Sequence, residues 1–421
     1  MTLSESFAAL VIGACLAAAA PREQLQPGDG TSQALLQEAD EALHCIQHRK
    51  QALAPAKAKR RAIILDTDVD IDDMMAITYL LNEPSLDVRA ITVSNNGWSS
   101  QWAGVGNVMR LTQRYGATHV PVAFQTTYTM TMLNNEGIGF HPNNLPPLDY
   151  LNGTDTFLTN WVKTPWNPRP PSSMSAAELI LHTLGSSKGS VDLVVLGTWT
   201  NIADAMHRDR DLFLSKVGTL YISGGDINLP NLGPVHAELK YLGPRKKASV
   251  SSSPSAHARF PYAGPPHGAS WNIFLDPISA SQVLSSGVKT VFISGSAQDA
   301  MFVNATDYQY IPASCPQGQR EYLVRFYTEF GPADGMKMSD VKYWDPSVLV
   351  YLTNPSMCTD YRTMNVSVNL ESGRRYSRLE QSPFGVPAGV CRKASVTDFK
   401  TAYYSGSCRC PAGCGVSADP A

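Results

Sequence analysis

The fold of this chain is indicated most clearly by one stretch, Ile63-Ile64-Leu65-Asp66-Thr67-Asp68-Val69-Asp70-Ile71-Asp72-Asp73. Its first residues form a short apolar run that predicts a buried strand, and the helical apolar spacing after Asp72 predicts a helix that begins there. Open α/β sheets bind ligands at the carboxyl ends of their strands, where these aspartates fall. Five carboxylates within eight residues cannot all stay ionised without a compensating cation. Carboxylate oxygen is a hard ligand, so Ca²⁺ or Mg²⁺ is the expected ion.

The same residues allow other interpretations of this stretch. A helix cap at Asp72 is common, but it does not explain why Asp66 and Asp68 follow a buried strand. An EF-hand loop is excluded, because counting from Asp66 or Asp68 gives no glycine at the sixth position and no glutamate at the twelfth. A phosphatase-type Asp-x-Asp pair stays open, although it gives Asp72 and Asp73 no role.

Composition limits the class of protein. The chain has 421 residues, enough for one large α/β domain or two smaller ones. It is 43% hydrophobic and 17% charged, which favours a sizeable core over disorder. The net charge of -2 gives no electrostatic reason to expect nucleic acid or an anionic membrane as a partner. No internal apolar run reaches the roughly 18 residues that a membrane helix requires.

The N-terminal part of the chain predicts export. Residues 7–20 form an apolar region that ends in small residues, which is typical of a signal peptide over residues 1–20. No lysine or arginine precedes this region, so an N-terminal helix of a cytoplasmic protein is the alternative. Residues 21–60 form a linker with a predicted helix at 34–53 and a basic run at its end.

Glycosylation sequons and cysteines also support export from the cytoplasm. Asn152, Asn304 and Asn365 each begin an Asn-x-Ser/Thr acceptor sequence. Cysteines crowd the C-terminal part of the chain, which favours disulfides, and residues 407–421 form a Cys-rich tail. The spacing Cys408-x-Cys410-x-x-x-Cys414 is the metal-binding alternative, but no histidine lies near to complete a zinc site.

Predicted strands and helices alternate after the aspartate-rich stretch, which favours a parallel sheet. The predicted strands span residues 88–93, 191–196, 219–223 and 290–294, and the predicted helices span 104–115 and 175–184. Polar residues follow several of these strands, as Asn96 does after the second.

Residues 66–73 resemble the N-terminal signature Asp-Thr-Asp-Pro-Gly-x-Asp-Asp of the inosine–uridine-preferring nucleoside hydrolases, with Asp70 in place of glycine. Further segments occur in the order that this family has. Residues 197–203 resemble Gly-Pro-Leu-Thr-Asn-x-Ala, 222–225 resemble a strand that ends in Met-Gly-Gly, 269–277 resemble Ala-Glu-Phe-Asn-x-x-x-Asp-Pro, and 343–346 resemble His/Trp-Asp-Pro. Residues 365–371 and 394–404 resemble the family's last strand and helix.

The resemblance covers residues 61–404 and implies one large α/β domain over 61–406, with an open, mainly parallel central sheet flanked by helices. Residues 237–260 are expected to form a flexible insert. The implied reaction is calcium-dependent hydrolysis of the N-glycosidic bond of ribonucleosides, which yields ribose and a free base. The family is commonly dimeric or tetrameric, so a homodimer or homotetramer is expected.

Site residues follow from the matched motifs. The implied calcium ligands are Asp68, Asp73, Asp345 and the backbone carbonyl of Thr200; a helix cap at Thr200 or Asn201 is compatible with that role. Asp68 is also the implied base that takes a proton from the attacking water. The residues implied to hold ribose are Asp72, Asn96 and Asn272, and Asn96 also contacts the water. Asp66 is expected to orient its neighbours from behind.

The leaving base is the other requirement. Trp344 stands where many members have a histidine acid and purine-preferring members have tryptophan. An indole ring cannot donate the needed proton but stacks on purines, so purine ribosides are favoured. His141, within a candidate lid at residues 135–141, is an alternative acid.

Two positions depart from the family pattern. Ser270 stands in place of a glutamate and Gly264 in place of an asparagine, both of which hold the ribose 5′-hydroxyl in the family. Asn228 and Asn231 are the candidates to fill that role, and Asn231 is preferred. A catalytically impaired nucleoside- or ribose-binding protein of the same fold is therefore the alternative function. The phosphatase-type hydrolase, with Asp66 as nucleophile and Asp68 as acid, ranks last.

Overall fold

The apolar run before the aspartates forms β1 (Arg61–Thr67), a strand that lies inside the sheet. The structure, a computed structural model, describes residues 60–97, 99, 101–126, 163–164, 169–225, 227, 270–328, 341–371 and 377–409. The predicted features outside the described residues are the signal peptide, the segment 21–59, His141, Asn152, Asn228, Asn231, the insert 237–260, Gly264, Cys410 and Cys414.

The sheet is built mainly from parallel strands. Besides β1, the strands are β2 (Leu86–Val93), β3 (Val122–Phe124), β4 (Val191–Val195), β5 (Val217–Ser223), β6 (Thr290–Ile293), β7 (Cys358–Val368), β8 (Leu379–Gln381) and β9 (Val386–Ala394). In the described part of the chain their order is β3-β2-β1-β4-β5-β6-β9-β7-β8. Neighbours from β3 to β9 are parallel, whereas β7 runs antiparallel to both β9 and β8.

Helices connect the strands and cover the sheet. They are α1 (Ile71–Asn82), α2 (Gln101–Arg114), α3 (Ala176–Ser186), α4 (Thr200–Arg208), α5 (Arg210–Lys216), α6 (Trp271–Leu275), α7 (Pro277–Leu284), α8 (Gly295–Gln298), α9 (Gln317–Thr328), α10 (Trp344–Thr353) and α11 (Val396–Ser407). Among the described residues, no helix is both long and apolar enough to cross a bilayer.

Two apolar cores lie on opposite faces of the sheet. Ile63 and Leu65 pack in one core, and Ile64 between them packs in the other. This alternation follows from the strand period of two, because successive side chains point to opposite faces. Both faces are buried, so the middle of β1 is an uninterrupted apolar run, as in other parallel sheets. The predicted fold class, an open and mainly parallel sheet flanked by helices, is confirmed.

The chain order places a crevice at the end of β1. After β1 the chain moves outward through β2 to β3, and it then returns to β4 on the other side of β1. This change of direction separates the connections that leave β1 and β4, which creates the ligand-binding crevice of open α/β sheets. Asp68 follows β1, and Thr198 and Thr200 follow β4, so both groups lie at this crevice.

One strand differs from its sequence prediction. The last strand was expected at residues 365–371, but β7 spans Cys358–Val368. Its first half has mostly exposed or half-buried side chains and therefore lacks the apolar pattern of a buried strand. It forms because antiparallel pairing with β9 continues through two register shifts.

Two disulfides join distant segments of the described chain. Cys315 bonds to Cys408 and Cys358 bonds to Cys391. The second bond lies between β7 and β9, whereas the first fixes the end of α11 to the segment before α9. Because its sulfur is already bonded, Cys408 is not a metal ligand, and that alternative is wrong for this residue.

Candidate active site

The turn after β1 is closed by hydrogen bonds among its own aspartates. The side chain of Asp70 accepts a hydrogen bond from the backbone N–H of Ile71 at 2.7 Å, and Asp73 accepts one from the N–H of Asp70 at 3.0 Å. The Asp70 side chain also accepts from the backbone N–H of Asp73, so Asp70 and Asp73 form a capping box in which each side chain binds the other residue's backbone N–H. The helix therefore begins at Ile71 with Asp70 as its cap, and the predicted start at Asp72 is corrected.

Asp68 is fixed on several sides. Its backbone carbonyl accepts hydrogen bonds from the N–H of Ser99 at 3.1 Å and from the hydroxyl of Ser99 at 2.7 Å. The next residue, Val69, has a φ of 60°, which a β-branched residue rarely adopts. Such a conformation persists only where the surroundings impose it, and it is common at functional sites. The turn therefore holds the backbone of Asp68 in place.

Three carboxylates meet in front of this turn. Oxygens of Asp72, Asp73 and Asp345 lie within 4.8 Å of one another. All three residues are buried, and the backbone N–H of Asp345 donates to Asp72 at 3.3 Å. Asp68 adjoins this group: its side chain is buried, and repulsion by the Asp73 carboxylate contributes to raising its pKa. The structure thus brings together the predicted ligands Asp68, Asp73 and Asp345, and it adds Asp72, which was predicted to hold ribose.

Burial makes the charged forms of these carboxyl groups unfavourable. It is the main cause that raises the pKa values of Asp68, Asp72 and Asp345 well above the ordinary aspartate range, and neighbouring carboxylates raise them further. Asp68 Oδ2 is buried and has no hydrogen-bond partner among the described residues. Several buried oxygens that lack counter-charges fit a hard divalent cation. The observed donor set therefore suits a metal of the Ca²⁺ or Mg²⁺ type.

Asp66 lies behind this group and ties three elements together. Its Oδ1 accepts hydrogen bonds from the Thr92 hydroxyl at 2.6 Å and from the Asn201 amide at 2.7 Å. Thr92 belongs to β2 and Asn201 to α4, so Asp66 joins both to β1. Burial raises its pKa to about 7, against the effect of these hydrogen bonds. This position matches the orienting role expected from the sequence.

Asn96 is held by both ends of its amide. Its Oδ1 accepts from the Thr198 hydroxyl at 2.6 Å, and its Nδ2 donates to the Thr200 hydroxyl at 3.2 Å. Thr200 in turn donates to Asp276 at 2.7 Å. This series of hydrogen bonds fixes the Asn96 side chain next to the strand end.

The start of α4 differs from the helix-cap interpretation. Thr200 is the first residue of the helix, and Trp199 occupies the cap position without a side-chain hydrogen bond. Neither Thr200 nor Asn201 caps the helix, because their side chains bind Asp276 and Asp66 instead.

Asn272 and Ser270 lie at the start of α6. The amide of Asn272 donates to the carbonyl of Leu196, just after β4, while its Oδ1 is buried and has no partner in the described part of the chain. Ser270 precedes the helix and approaches Gly224, where an added Cβ would lie 2.8 Å from the serine hydroxyl. Gly224 has a φ of +85°, so a side chain would be strained there as well.

Trp344 is half-buried and begins α10, directly before Asp345. Its carbonyl accepts a hydrogen bond from the Gln298 amide at 2.8 Å. The Lys342 ammonium lies 5.9 Å from the centre of the indole ring and forms an ion pair with Asp299 at 2.9 Å. The indole is therefore supported from the protein side and partly open to a ligand.

Some site residues were not predicted from the sequence. They are Thr198 and Asp276, which bind Asn96 and Thr200; Gln298, which binds the Trp344 carbonyl and the Ser223 hydroxyl; and Gly97, whose backbone approaches the Asp68 carboxylate. Ser223 and Thr198 lie at the carboxyl ends of strands, where open α/β sheets bind ligands, so the sequence could have indicated them. Gln298 is the last residue of a four-residue helix and has no sequence signal that points to the site. Of the predicted residues, His141 and Asn231 lie outside the described part of the chain.

Comparison with known families identifies the family of this chain. A model described as inosine-uridine preferring nucleoside hydrolase matches residues 63–400. The chain belongs to the inosine-uridine preferring nucleoside hydrolase family. The matched region includes all the aspartates described above. Enzymes of this nucleoside hydrolase family hydrolyse the N-glycosidic bond of small-molecule ribonucleosides, so the predicted family and the general class of reaction are confirmed.

Relatives of this nucleoside hydrolase differ in the bases named in their descriptions. The pyrimidine-specific ribonucleoside hydrolase RihA of Escherichia coli O1:K1 is 24% identical over 324 residues, which cover 75% of this chain and 86% of that protein. An inosine-uridine preferring nucleoside hydrolase from Bacillus anthracis has a TM-score of 0.60 at 15% identity, covering 82% of this chain and 99% of that one. A purine-preferring ribonucleoside hydrolase from Gardnerella vaginalis has a TM-score of 0.56 at 18% identity, covering 82% and 98%.

Proposed function

We propose that this nucleoside hydrolase family member cleaves ribonucleosides in a calcium-dependent reaction and favours purine ribosides. The observation that carries this proposal is the buried group of Asp72, Asp73 and Asp345, with the buried carboxylate of Asp68 near Asp73 and with Trp344 next to Asp345. The carboxylates would bind the metal ion, and the indole would provide a surface that binds the base.

The proposed ligands of the ion are Asp68, Asp73, Asp345 and the Thr200 carbonyl, with Asp72 beside them. Calcium would supply positive charge that keeps these carboxyl groups ionised and would bind oxygen ligands of the substrate and water. Calcium acidifies water less than zinc does, so the reaction also requires a carboxylate base.

Asp68 is the proposed base. Its Oδ2 has no hydrogen-bond partner in the described residues, so it is available to take a proton from the attacking water. The two hydrogen bonds from Ser99 hold the backbone of Asp68 in place. Asn96 carries two amide hydrogens, and Thr200 receives one of them, which leaves a donor for the water or a ribose hydroxyl. Asp72 and Asn272 are proposed to bind the ribose hydroxyls.

Trp344 is proposed to stack on the base as it leaves. An aromatic surface stabilises a purine that takes its proton from solvent, through stacking and cation–π attraction. The relatives do not indicate one base preference, because one is described as pyrimidine-specific and another as purine-preferring. The preference for purines therefore rests on Trp344 alone.

The deciding experiment measures base release from inosine, adenosine, guanosine, xanthosine and uridine by the purified chain. Turnover is expected to stop after calcium removal and to return when calcium is added back. Asp68→Asn is expected to lower kcat by about 10²- to 10⁴-fold, the usual contribution of a general base. Asp211→Asn is the matched control, because Asp211 is an exposed aspartate on α5.

The base preference has its own readout in the same assay. Trp344→Ala is expected to lower kcat/KM for inosine more than for uridine, because a purine offers the larger stacking surface. Faster release of uracil than of any purine by the wild type would contradict the purine preference. Calcium-independent turnover would contradict the metal dependence.

A nucleoside-binding protein without turnover is the second candidate, and Ser270 favours it. This residue stands where the family pattern has a glutamate, and it lies against Gly224 at the end of β5. Binding of inosine without base release would support this candidate. Release of phosphate from a nucleotide without base release would instead favour the phosphatase-type hydrolase.

We also propose that the chain is exported and glycosylated. Asn304 and Asn365 are exposed, and four cysteines are paired in disulfides, which persist in oxidising compartments. The measurement is the mass of the protein purified from its native source before and after removal of N-glycans. A mass that does not change would contradict glycosylation. The homodimer or homotetramer stays a prediction.

A further inference from the structure

Asp276 lies at one end of a series of hydrogen bonds that includes Asn96. Its Oδ2 accepts a hydrogen bond from the Thr200 hydroxyl at 2.7 Å. The Thr200 hydroxyl accepts one from the amide nitrogen of Asn96 at 3.2 Å, and the amide oxygen of Asn96 accepts one from the Thr198 hydroxyl at 2.6 Å. All four side chains are buried. The series therefore joins the residue before α7 to the strand ends at the proposed site.

The two ends of the Asn96 amide have nearly the same shape but opposite hydrogen-bonding character. The nitrogen donates two hydrogen bonds, and the oxygen only accepts them. A half-turn of the amide would therefore place an acceptor next to Thr200, where the structure has a donor. The orientation of this amide decides whether Asn96 offers an N–H on that side.

The hydroxyl groups on either side of Asn96 do not decide this orientation, because a hydroxyl can both donate and accept. Asp276 does decide it, because a carboxylate only accepts. The single proton of the Thr200 hydroxyl must then point to Asp276, and the oxygen of that hydroxyl is left to accept. Only the nitrogen end of the Asn96 amide can donate to it.

Asp276 is itself fixed by the helix that follows it. Its Oδ1 accepts a hydrogen bond from the backbone N–H of Ser279 at 3.3 Å, which caps α7, and its Oδ2 accepts one from the Ser279 hydroxyl at 2.6 Å. The N-terminus of a helix also favours a negative charge. The carboxylate is therefore held in place with both of its oxygens accepting.

We propose that Asp276 is a positioning residue that acts through Thr200 and sets the orientation of the Asn96 amide. In this orientation one N–H of Asn96 binds Thr200, and the other is directed to the attacking water or a ribose hydroxyl. The proposal rests on the proposed function in that it takes Asn96 as a donor to one of these groups.

Asp276→Asn is expected to reverse the series with almost no change in shape. The N–H of Ser279 requires an acceptor at the Oδ1 position, so the new amide places its nitrogen at the Oδ2 position. The two hydrogens of that nitrogen match the two hydroxyls that Oδ2 binds in the wild type, those of Ser279 and Thr200. Thr200 would then donate to Asn96, whose amide is expected to turn over.

Neutron diffraction from crystals of the full chain measures this reversal, because it distinguishes amide nitrogen from amide oxygen and locates the hydrogens. The wild type is expected to show the nitrogen of Asn96 facing Thr200, and Asp276→Asn is expected to show the oxygen there. An oxygen facing Thr200 in the wild type, or a nitrogen there in both proteins, would overturn the proposal.

The effect on the reaction is measured as kcat/KM for the ribonucleoside that the wild type cleaves fastest. Asp276→Asn is expected to lower it about tenfold, the order expected when one hydrogen bond is lost. In an Asn96→Ala background the same substitution is expected to change it little, because Asp276 acts through Asn96. An equal loss in both backgrounds, or a reversed amide with unchanged kcat/KM, would overturn the proposal.

Substitutions at Thr200 test the same series at its middle. Thr200→Val removes the connecting hydroxyl but keeps the shape of the side chain and the backbone carbonyl, so it is expected to lower kcat/KM as Asp276→Asn does. Thr200→Ser keeps the hydroxyl and is expected to react nearly as fast as the wild type. Equal losses in these two variants would contradict a role for the hydroxyl.

Asp209→Asn is the matched control. Asp209 also precedes a helix, α5, and its side chain accepts a hydrogen bond from the N–H of Leu212 at 3.0 Å, but it is exposed. This variant is expected to change neither kcat/KM nor the orientation of Asn96. A wild type that releases no base would contradict the proposed hydrolase, and the diffraction result would still decide whether Asp276 orients Asn96.

Discussion

Gly97 limits the space around the proposed base. A Cβ added to Gly97 would lie 2.0 Å from Oδ2 of Asp68, far closer than any van der Waals contact. The Asn96-Gly97 pair has the sequence of an ordinary turn, in which glycine supplies an unusual backbone angle. The structure gives a different reason for glycine, which is the close approach of its backbone to the Asp68 carboxylate.

Gly97→Ala is therefore expected to displace Asp68 and to lower kcat/KM by about a hundredfold, since displacing a catalytic group by 1 Å has effects of that order. The measurement is the rate of base release with saturating calcium. Gly189→Ala is the matched control, because a Cβ at exposed Gly189 has no atom within 4 Å. Equal activity of the two variants would show that the backbone around Gly97 shifts to accept the Cβ and that Asp68 keeps its position.

Single residues also mark the limit of what the sequence predicts. The aspartates after β1 were predictable, because their number and their place after an apolar run indicate a charged strand end. The capping role of Asp70 was not, since Asp70 and Asp72 are both plausible caps by composition. Ser223 and Gln298 meet only through the packing of β5, α8 and α10, which no local pattern encodes.

At the scale of elements, α10 is held in place by a buried ion pair. Lys400 of α11 lies 2.7 Å from Oδ1 and 2.9 Å from Oδ2 of Asp307. The hydroxyl of Tyr343, the residue before α10, donates to Asp307 at 2.8 Å. The two charged side chains are 4% and 3% exposed. The C-terminal helix thus fixes the residue that precedes Trp344 and Asp345.

Lys400→Met is expected to lower the free energy of unfolding by about 3–5 kcal/mol, because it leaves Asp307 buried without its counter-charge. Adding Asp307→Leu is expected to recover part of this loss by removing the unpaired charge. Urea unfolding of the calcium-loaded chain measures both effects.

Arg362→Met is the control for this prediction. Arg362 pairs with Asp360 at 3.0 Å, but its side chain is 61% exposed, so its removal is expected to cost about 0–1 kcal/mol. A double variant at Lys400 and Asp307 that is less stable than Lys400→Met alone would contradict the explanation by an unpaired charge.

In the whole molecule, the parallel direction of the central strands was predictable and the antiparallel strands at one edge were not. Alternating apolar runs and helical patterns indicate a parallel sheet, since each strand must cross over before the next. The antiparallel strand β7 lacks that signal, because its exposed side chains do not form an apolar run. Its place depends on pairing with β9, which follows it in the chain.

Proton binding by the site is expected to affect the stability of the whole metal-free chain. The pKa of Asp66 rises from 3.8 to about 7 on burial. Between these values the unfolded chain has lost a proton that the folded chain keeps, so the free energy of unfolding falls as pH rises. The full effect of this group is about 4 kcal/mol at most.

Urea unfolding of the metal-free chain between pH 4.5 and 7.5 tests this expectation. The wild type should lose stability with rising pH relative to Asp66→Asn, which cannot ionise. Calcium should restore more stability at the upper end of this range than at the lower end, since it binds ionised carboxylates. A parallel pH dependence in the two proteins would show that Asp66 ionises equally in both states.

The hydrogen bond between the Asp345 amide and the Asp72 carboxylate joins residues 273 positions apart. During synthesis, the acidic turn leaves the ribosome long before its partner exists. Contacts that close such long segments form slowly, because the entropy of loop closure opposes them. Prematurely terminated chains would carry the aspartates but not the assembled site. Only chains that have been completed and fully folded would therefore contribute to nucleoside turnover in a cell.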